Sequence, residues 1–99
     1  MSSPLSGSSR VVVSRDQVST NLSGEEVILS ITNGVYFGLD RVGARIWALL
    51  QESRTLDEVA DVIVHEFDVQ RERALADLVT LARQLSETGL IEVLPAPAS

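Results

Sequence analysis

The chain has 99 residues, no cysteine and a formal net charge of −6. That length suits one domain with one small core, and the lack of cysteine excludes disulfides, thiolate metal sites and a cysteine nucleophile. All eight basic residues are arginines scattered among fourteen acids, which is not the basic stripe of a nucleic-acid binder.

No apolar run approaches the ~20 residues that span a membrane. The N-terminus has no apolar h-region, so a cytoplasmic location is the default expectation. The stretches MSSPLSGSS and PAPAS lack apolar periodicity. They predict mobile tails over 1–9 and 95–99, with one domain over 10–94 between them.

RVVVSR over 10–15 reads as a strand, extendable to Val18. STNLSG over 19–24 reads as a turn-rich connection. Next comes EEVILSITNGVYFGL over 25–39, which organises the chain. Asn33-Gly34 between two apolar runs is a strong hairpin signal, because both central residues of a type I′ turn need positive φ. A two-residue turn there predicts Thr32 opposite Val35, Ser30 opposite Phe37 and Ile28 opposite Leu39. In that register the amides of Val35, Phe37 and Leu39 point into the hairpin, and those of Tyr36 and Gly38 point away. Pairing of sequential strands then gives a three-strand meander with 35–39 on one edge.

Asp40 is placed to cap a helix whose apolar positions are Val42, Ile46, Leu49 and Leu50. Gly43 weakens that helix by about 1 kcal/mol relative to alanine, which suits close packing at that point. Trp47 lies beside the stripe, at the expected core margin. Thr55-Leu56-Asp57-Glu58 is a capping box. It starts a helix with the stripe Leu56, Val59, Ala60, Ile63, Val64 and Phe67. A third helix spans 70–88 and stops at Gly89. Its apolar residues form two lines, 74/78/81/85 and 75/79/82. Either both lines are core, or one meets the core and the other a partner. LIEVL over 90–94 is strand-like and has no assigned place. The order predicts an α+β domain: a three-stranded antiparallel sheet followed by three helices, compatible with a winged helix-turn-helix arrangement.

Site chemistry is sparse. His65, the single histidine, stands beside the apolar stripe of its helix and is expected to face solvent, which leaves no histidine triad or multi-histidine metal site. Glu25 and Glu26 are adjacent in a strand and point to opposite faces. Asp57 and Asp61 suit the helix dipole. No glycine pattern matches a dinucleotide fingerprint or a P-loop. The reading is of a non-enzyme without cofactor or metal.

Two stretches carry a family resemblance: GVYFGLDRVGARIWALL over 34–50, and TLDEV over 55–59 followed by FDV over 67–69 and a long helix ending TGLI at 91. Together they resemble the PqqD-like family, peptide-recognition elements for ribosomally made, modified peptides. The tyrosine-aromatic-x-Leu-Asp strand running into Gly-Ala-x-Ile-Trp is similar to the stand-alone members of lasso-peptide clusters. The resemblance spans residues 11–94.

It implies three antiparallel strands followed by three helices, and a non-catalytic function: binding the leader of a precursor peptide by strand addition and delivering it to partner enzymes. For lasso systems the implied partners are a transglutaminase-like leader peptidase and an asparagine-synthetase-like macrolactam cyclase. Carried over by position, the peptide edge comprises Val35, Tyr36, Phe37, Gly38 and Leu39. The helical side of the groove comprises Asp77, Leu78, Leu81 and Leu85. Gln70 stands where relatives often carry an acidic helix cap. Two rival readings are a partner of a radical-SAM modifying enzyme and a winged-helix DNA-binding domain. The second sits poorly with Arg71, Arg73 and Arg83 balanced by Glu72, Asp77 and Glu87 on one helix.

Overall fold

A computed structural model describes residues 5–15, 17–22 and 25–95. The strands are β1 (Arg10–Val13), β2 (Gln17–Leu22), β3 (Glu25–Ser30), β4 (Tyr36–Leu39), β5 (Arg54–Thr55) and β6 (Ile91–Leu94). The helices are α1 (Arg41–Leu49), α2 (Leu56–Glu66) and α3 (Arg71–Glu87). The class is α+β with three helices, but the strands form two antiparallel sheets, ordered β2-β3-β4 and β5-β1-β6.

This corrects the expected single sheet. The meander exists, but its first strand is β2, inside the segment whose Ser, Thr and Asn residues suggested a turn. β2 pairs with β3 from Gln17 opposite Ser30 to Leu22 opposite Glu25. Val18, Ser19 and Thr20 are all exposed, so this edge strand lacks the apolar alternation that marks a half-buried one. Of the segment expected to turn, Ser23 and Gly24 lie outside the described residues. β1 pairs instead with β6, from Arg10 opposite Leu94 to Val13 opposite Ile91. Val11 and Ile91 are buried there. The unplaced LIEVL segment is thus the partner that takes β1 out of the meander. Val13 N–H donates to the Leu50 carbonyl at 2.9 Å, and Ser14 N–H to that of Leu90 at 2.8 Å, anchoring this sheet to the helices.

Part of the expected N-terminal tail is ordered against α2. The amides of Leu56 and Asp57 donate to the carbonyls of Ser9 and Gly7 at 3.0 and 2.8 Å. These are first-turn amides that lack partners within the helix. Leu5 packs on the core. Residues 1–4 and 96–99 lie outside the described residues.

The helix ends form as their sequences predict. The Asp40 carboxylate accepts from Gly43 N–H at 2.8 Å. Thr55 and Glu58 exchange both capping-box bonds, at 3.1 and 2.7 Å. The bond from the Thr55 amide, then its hydroxyl, holds the Glu58 carboxyl below the usual range. Gly89 has φ +78°. Around it, Leu90 N–H reaches the Leu85 carbonyl at 2.8 Å and Gly89 N–H that of Ser86 at 3.1 Å, the paired bonds of a Schellman motif.

Ile28, Leu50, Leu56, Val59, Leu78, Leu85 and Leu90 centre one core shared by the sheets and helices. Trp47 is 2% exposed, a core residue and not a marginal one. Arg71 pairs with Asp57 at 3.1 Å and also with Asp61, tying α3 to α2. Among the described residues, no helix is long and apolar enough to cross a membrane.

Candidate functional site

Each β3 residue meets a β4 partner two residues earlier than the Asn-Gly pair suggests. Leu29 lies opposite Tyr36, Ile28 opposite Phe37, Val27 opposite Gly38 and Glu26 opposite Leu39. Ser30 N–H donates to the Val35 carbonyl at 2.9 Å and Gly34 N–H to the Ser30 carbonyl at 2.8 Å. Residues 31–34 therefore form a four-residue loop. Gly34 still needs its positive φ, at +67°, but Asn33 serves elsewhere: its side chain donates to the Thr88 carbonyl at 2.9 Å.

A shift of two residues preserves every face, because side chains alternate with a period of two. It preserves hydrogen-bond direction too. Ser30–Val35 is a bonded pair, so Ile28–Phe37 and Glu26–Leu39 are bonded pairs, and the amides of Tyr36 and Gly38 point away from β3. On that side β4 has no strand neighbour among the described residues.

Beside this edge lies a groove of about 1060 Å³. β4 gives it Phe37, Gly38 and Leu39, and α1 gives Val42, Gly43 and Ile46. Ile63, Phe67 and Val69 line it from α2 and the connection to α3. Ala74, Leu78 and Leu81 line it from α3. Asp40, Gln70, Arg73, Asp77 and Gln84 add polar groups. An apolar lining with a few polar groups is the usual make-up of a binding cleft. Gly43 lets α1 approach β4 closely, since a Cβ there would sit 3.2 Å from the Leu39 side chain.

Two arginines of α1 fix the Phe67 corner. The Arg41 guanidinium lies 5.7 Å from the Phe67 ring centre, within cation–π range. Arg45 grips Glu66 with two 2.8 Å bonds. That pair holds the Glu66 carboxyl below its ordinary range and raises the Arg45 guanidinium further, in each case mainly through the hydrogen bond between them. Arg73 and Asp77 form a looser pair at 3.7 Å along α3. Both are largely exposed, so their attraction is weak and screened.

Six of the nine residues expected at a peptide site share this groove: Phe37, Gly38, Leu39, Asp77, Leu78 and Leu81. Leu78 is 1% exposed and is also core. Val35 and Tyr36 stand at the hairpin end outside the lining, with Tyr36 71% exposed. Leu85, expected at the groove, is 1% exposed and packs in the core. The buried line on α3 is Ala74, Leu78, Ala82 and Leu85, a hybrid of the two lines seen in the sequence. Sequence reasoning did not assign Val42, Ile46, Phe67, Val69, Ala74, Gln70, Arg73 and Gln84 to the site. Val69, an exposed apolar residue in a connection, was the available signal. His65 is exposed, and among the described residues no cluster of His, Cys, Asp or Glu could hold a metal ion.

The model of a family described as coenzyme PQQ synthesis protein D matches residues 25–91. Among solved structures, TbiB1 in complex with the TbiA(beta) leader peptide is 38% identical over 86% of this chain and 99% of that one, with a TM-score of 0.76. A lasso peptide synthetase B1 complexed with the leader peptide is 25% identical over 86% and 98%, with a TM-score of 0.72. No curated protein matches the chain.

Proposed function

The chain belongs to the PqqD family, and from that premise we propose that it binds the leader of a lasso-type precursor peptide as a further strand on β4. One observation carries this reading: an unpaired strand edge, with two amides pointing outward, runs beside an apolar groove. Backbone groups at such an edge supply affinity to an extended peptide, and alternate side-chain pockets supply specificity. Every second leader residue would face Phe37, Leu39 and the α3 wall. The two similar structures above both hold leader peptides, which supports the same occupant here.

The function is one of capture and not of chemistry. The bound precursor is handed to a transglutaminase-like leader peptidase and an asparagine-synthetase-like cyclase. Occupation of β4 also removes the aggregation hazard of a bare edge.

Fluorescence polarisation of a labelled leader, taken from the precursor encoded beside this chain, tests the reading. Saturable binding to the isolated chain is expected, and its absence refutes the proposal. Because the groove is mainly aliphatic and its charges are exposed and mixed, raising salt from about 0.05 to about 0.5 M should change affinity by less than ~10-fold. A much steeper loss would mark an electrostatic binder.

A further inference from the structure

Building on the leader-site reading, we infer that Asn33 is a positioning residue, whose side-chain bond to the end of α3 sets the spacing between the two walls of the groove. Those walls are β4 and α3, and the groove separates them. At one end the chain itself ties β4 to α1, which also lines the groove. Leu39 leads through the Asp40 cap into α1, and Gly43 packs tightly on Leu39.

At the other end Asn33 Nδ2 donates to the Thr88 carbonyl at 2.9 Å, across 55 residues. Thr88 is the C-cap of α3, so the acceptor belongs to the last carbonyls that a helix leaves unpaired.

The donor is held in place. Asn33 N–H donates to the Ser30 hydroxyl at 3.3 Å, and Ser30 is buried. On the acceptor side, a Cβ on Gly89 would sit 3.4 Å from Asn33 Nδ2, an ordinary van der Waals contact. Glycine at 89 serves the positive-φ turn that ends α3. The sheet ladder and the Schellman turn stand without this bond, so its loss frees one wall against the other without dissolving either. A groove held at both ends keeps the leader's alternate side chains in register with their pockets.

Asn33→Asp keeps the shape but sets an acceptor against the Thr88 carbonyl, and Asn33→Ala removes the group. Both changes lie in an exposed loop. The chain has no cysteine, so spin labels at Tyr36→Cys and Gln84→Cys report the distance from β4 to α3 by pulsed electron resonance without leader. Unlabelled chains are titrated with the labelled leader in parallel. Both Asn33 variants should broaden the distance distribution and weaken leader binding by about fivefold, the effect of one lost hydrogen bond. A parent-like distribution in both variants overturns the inference. So does a broadened one with parent-like leader affinity. Failure of the parent chain to bind the leader refutes the proposed function instead, while the distances still decide whether Asn33 holds the walls.

Discussion

Gly38→Pro is expected to weaken leader binding by at least about tenfold, ~1.4 kcal/mol, while leaving the domain folded. The Gly38 amide belongs to a non-bonded pair with Val27 and faces away from β3. Proline there removes a donor that the hairpin does not use, which is why edge strands accept proline on their open side. The lost hydrogen bond contributes about 0.5–1.5 kcal/mol, and the ring obstructs an incoming strand. Space is available, since a Cβ on Gly38 meets nothing within 4 Å. Gly38→Ala keeps the amide and should bind almost as the parent does. Phe37→Pro gives the contrast. Phe37 lies in a bonded pair with Ile28, so proline deletes an internal ladder bond and lowers the melting temperature far more. Circular dichroism melts and leader titrations of the three variants separate these effects. A folded Gly38→Pro chain with parent-like affinity would contradict the edge assignment.

Leu85→Ala should destabilise the domain by about 2–5 kcal/mol, the usual cost of truncating a buried leucine. Leu85 is 1% exposed, and the buried Leu90 that follows Gly89 donates its amide to the Leu85 carbonyl. The substitution therefore loses apolar contact at the C-terminal turn of α3 as well as core packing. Against a typical total of about 5–15 kcal/mol, that loss is severe. Leu81→Ala acts on the other side of the helix. Leu81 is half-buried and lines the groove. Its truncation should cost less stability and weaken leader binding by about tenfold. Denaturant unfolding and leader titration of both variants distinguish the roles. A stable Leu85→Ala chain with a large affinity loss would place Leu85 back at the groove.

Local chemistry was the legible part of this fold. The Asp40 cap, the Thr55–Glu58 box and the stop at Gly89 each depend on residues within a few positions of one another, and each formed. The amphipathic stripe of α2 was equally plain, because Leu56, Val59, Ala60 and Ile63 share one buried face. What sequence could not show was set by partners distant in the chain. β1 follows Ile91, some 80 residues away. Asn33 is drawn to Thr88, so the Asn-Gly pair does not close a two-residue turn. Trp47 stands beside the apolar stripe of its helix, yet only 2% of it is exposed. On α3 the residue that departs from its expected line is Leu85: its spacing puts it with Leu78 and Leu81 at the groove, yet it is buried in the core with Ala82, while Leu81 does line the groove. The edge assignment survived the register error because that error was an even number of residues.

Amide hydrogen exchange along β4, with and without the leader, tests strand addition most directly. In the free chain the amides of Phe37 and Leu39 are in the ladder and should exchange slowly, whereas those of Tyr36 and Gly38 should exchange fast. With leader bound, Tyr36 and Gly38 should become protected while Phe37 and Leu39 change little. A leader that binds tightly yet leaves the Tyr36 and Gly38 amides exchanging as before would contradict strand addition at β4.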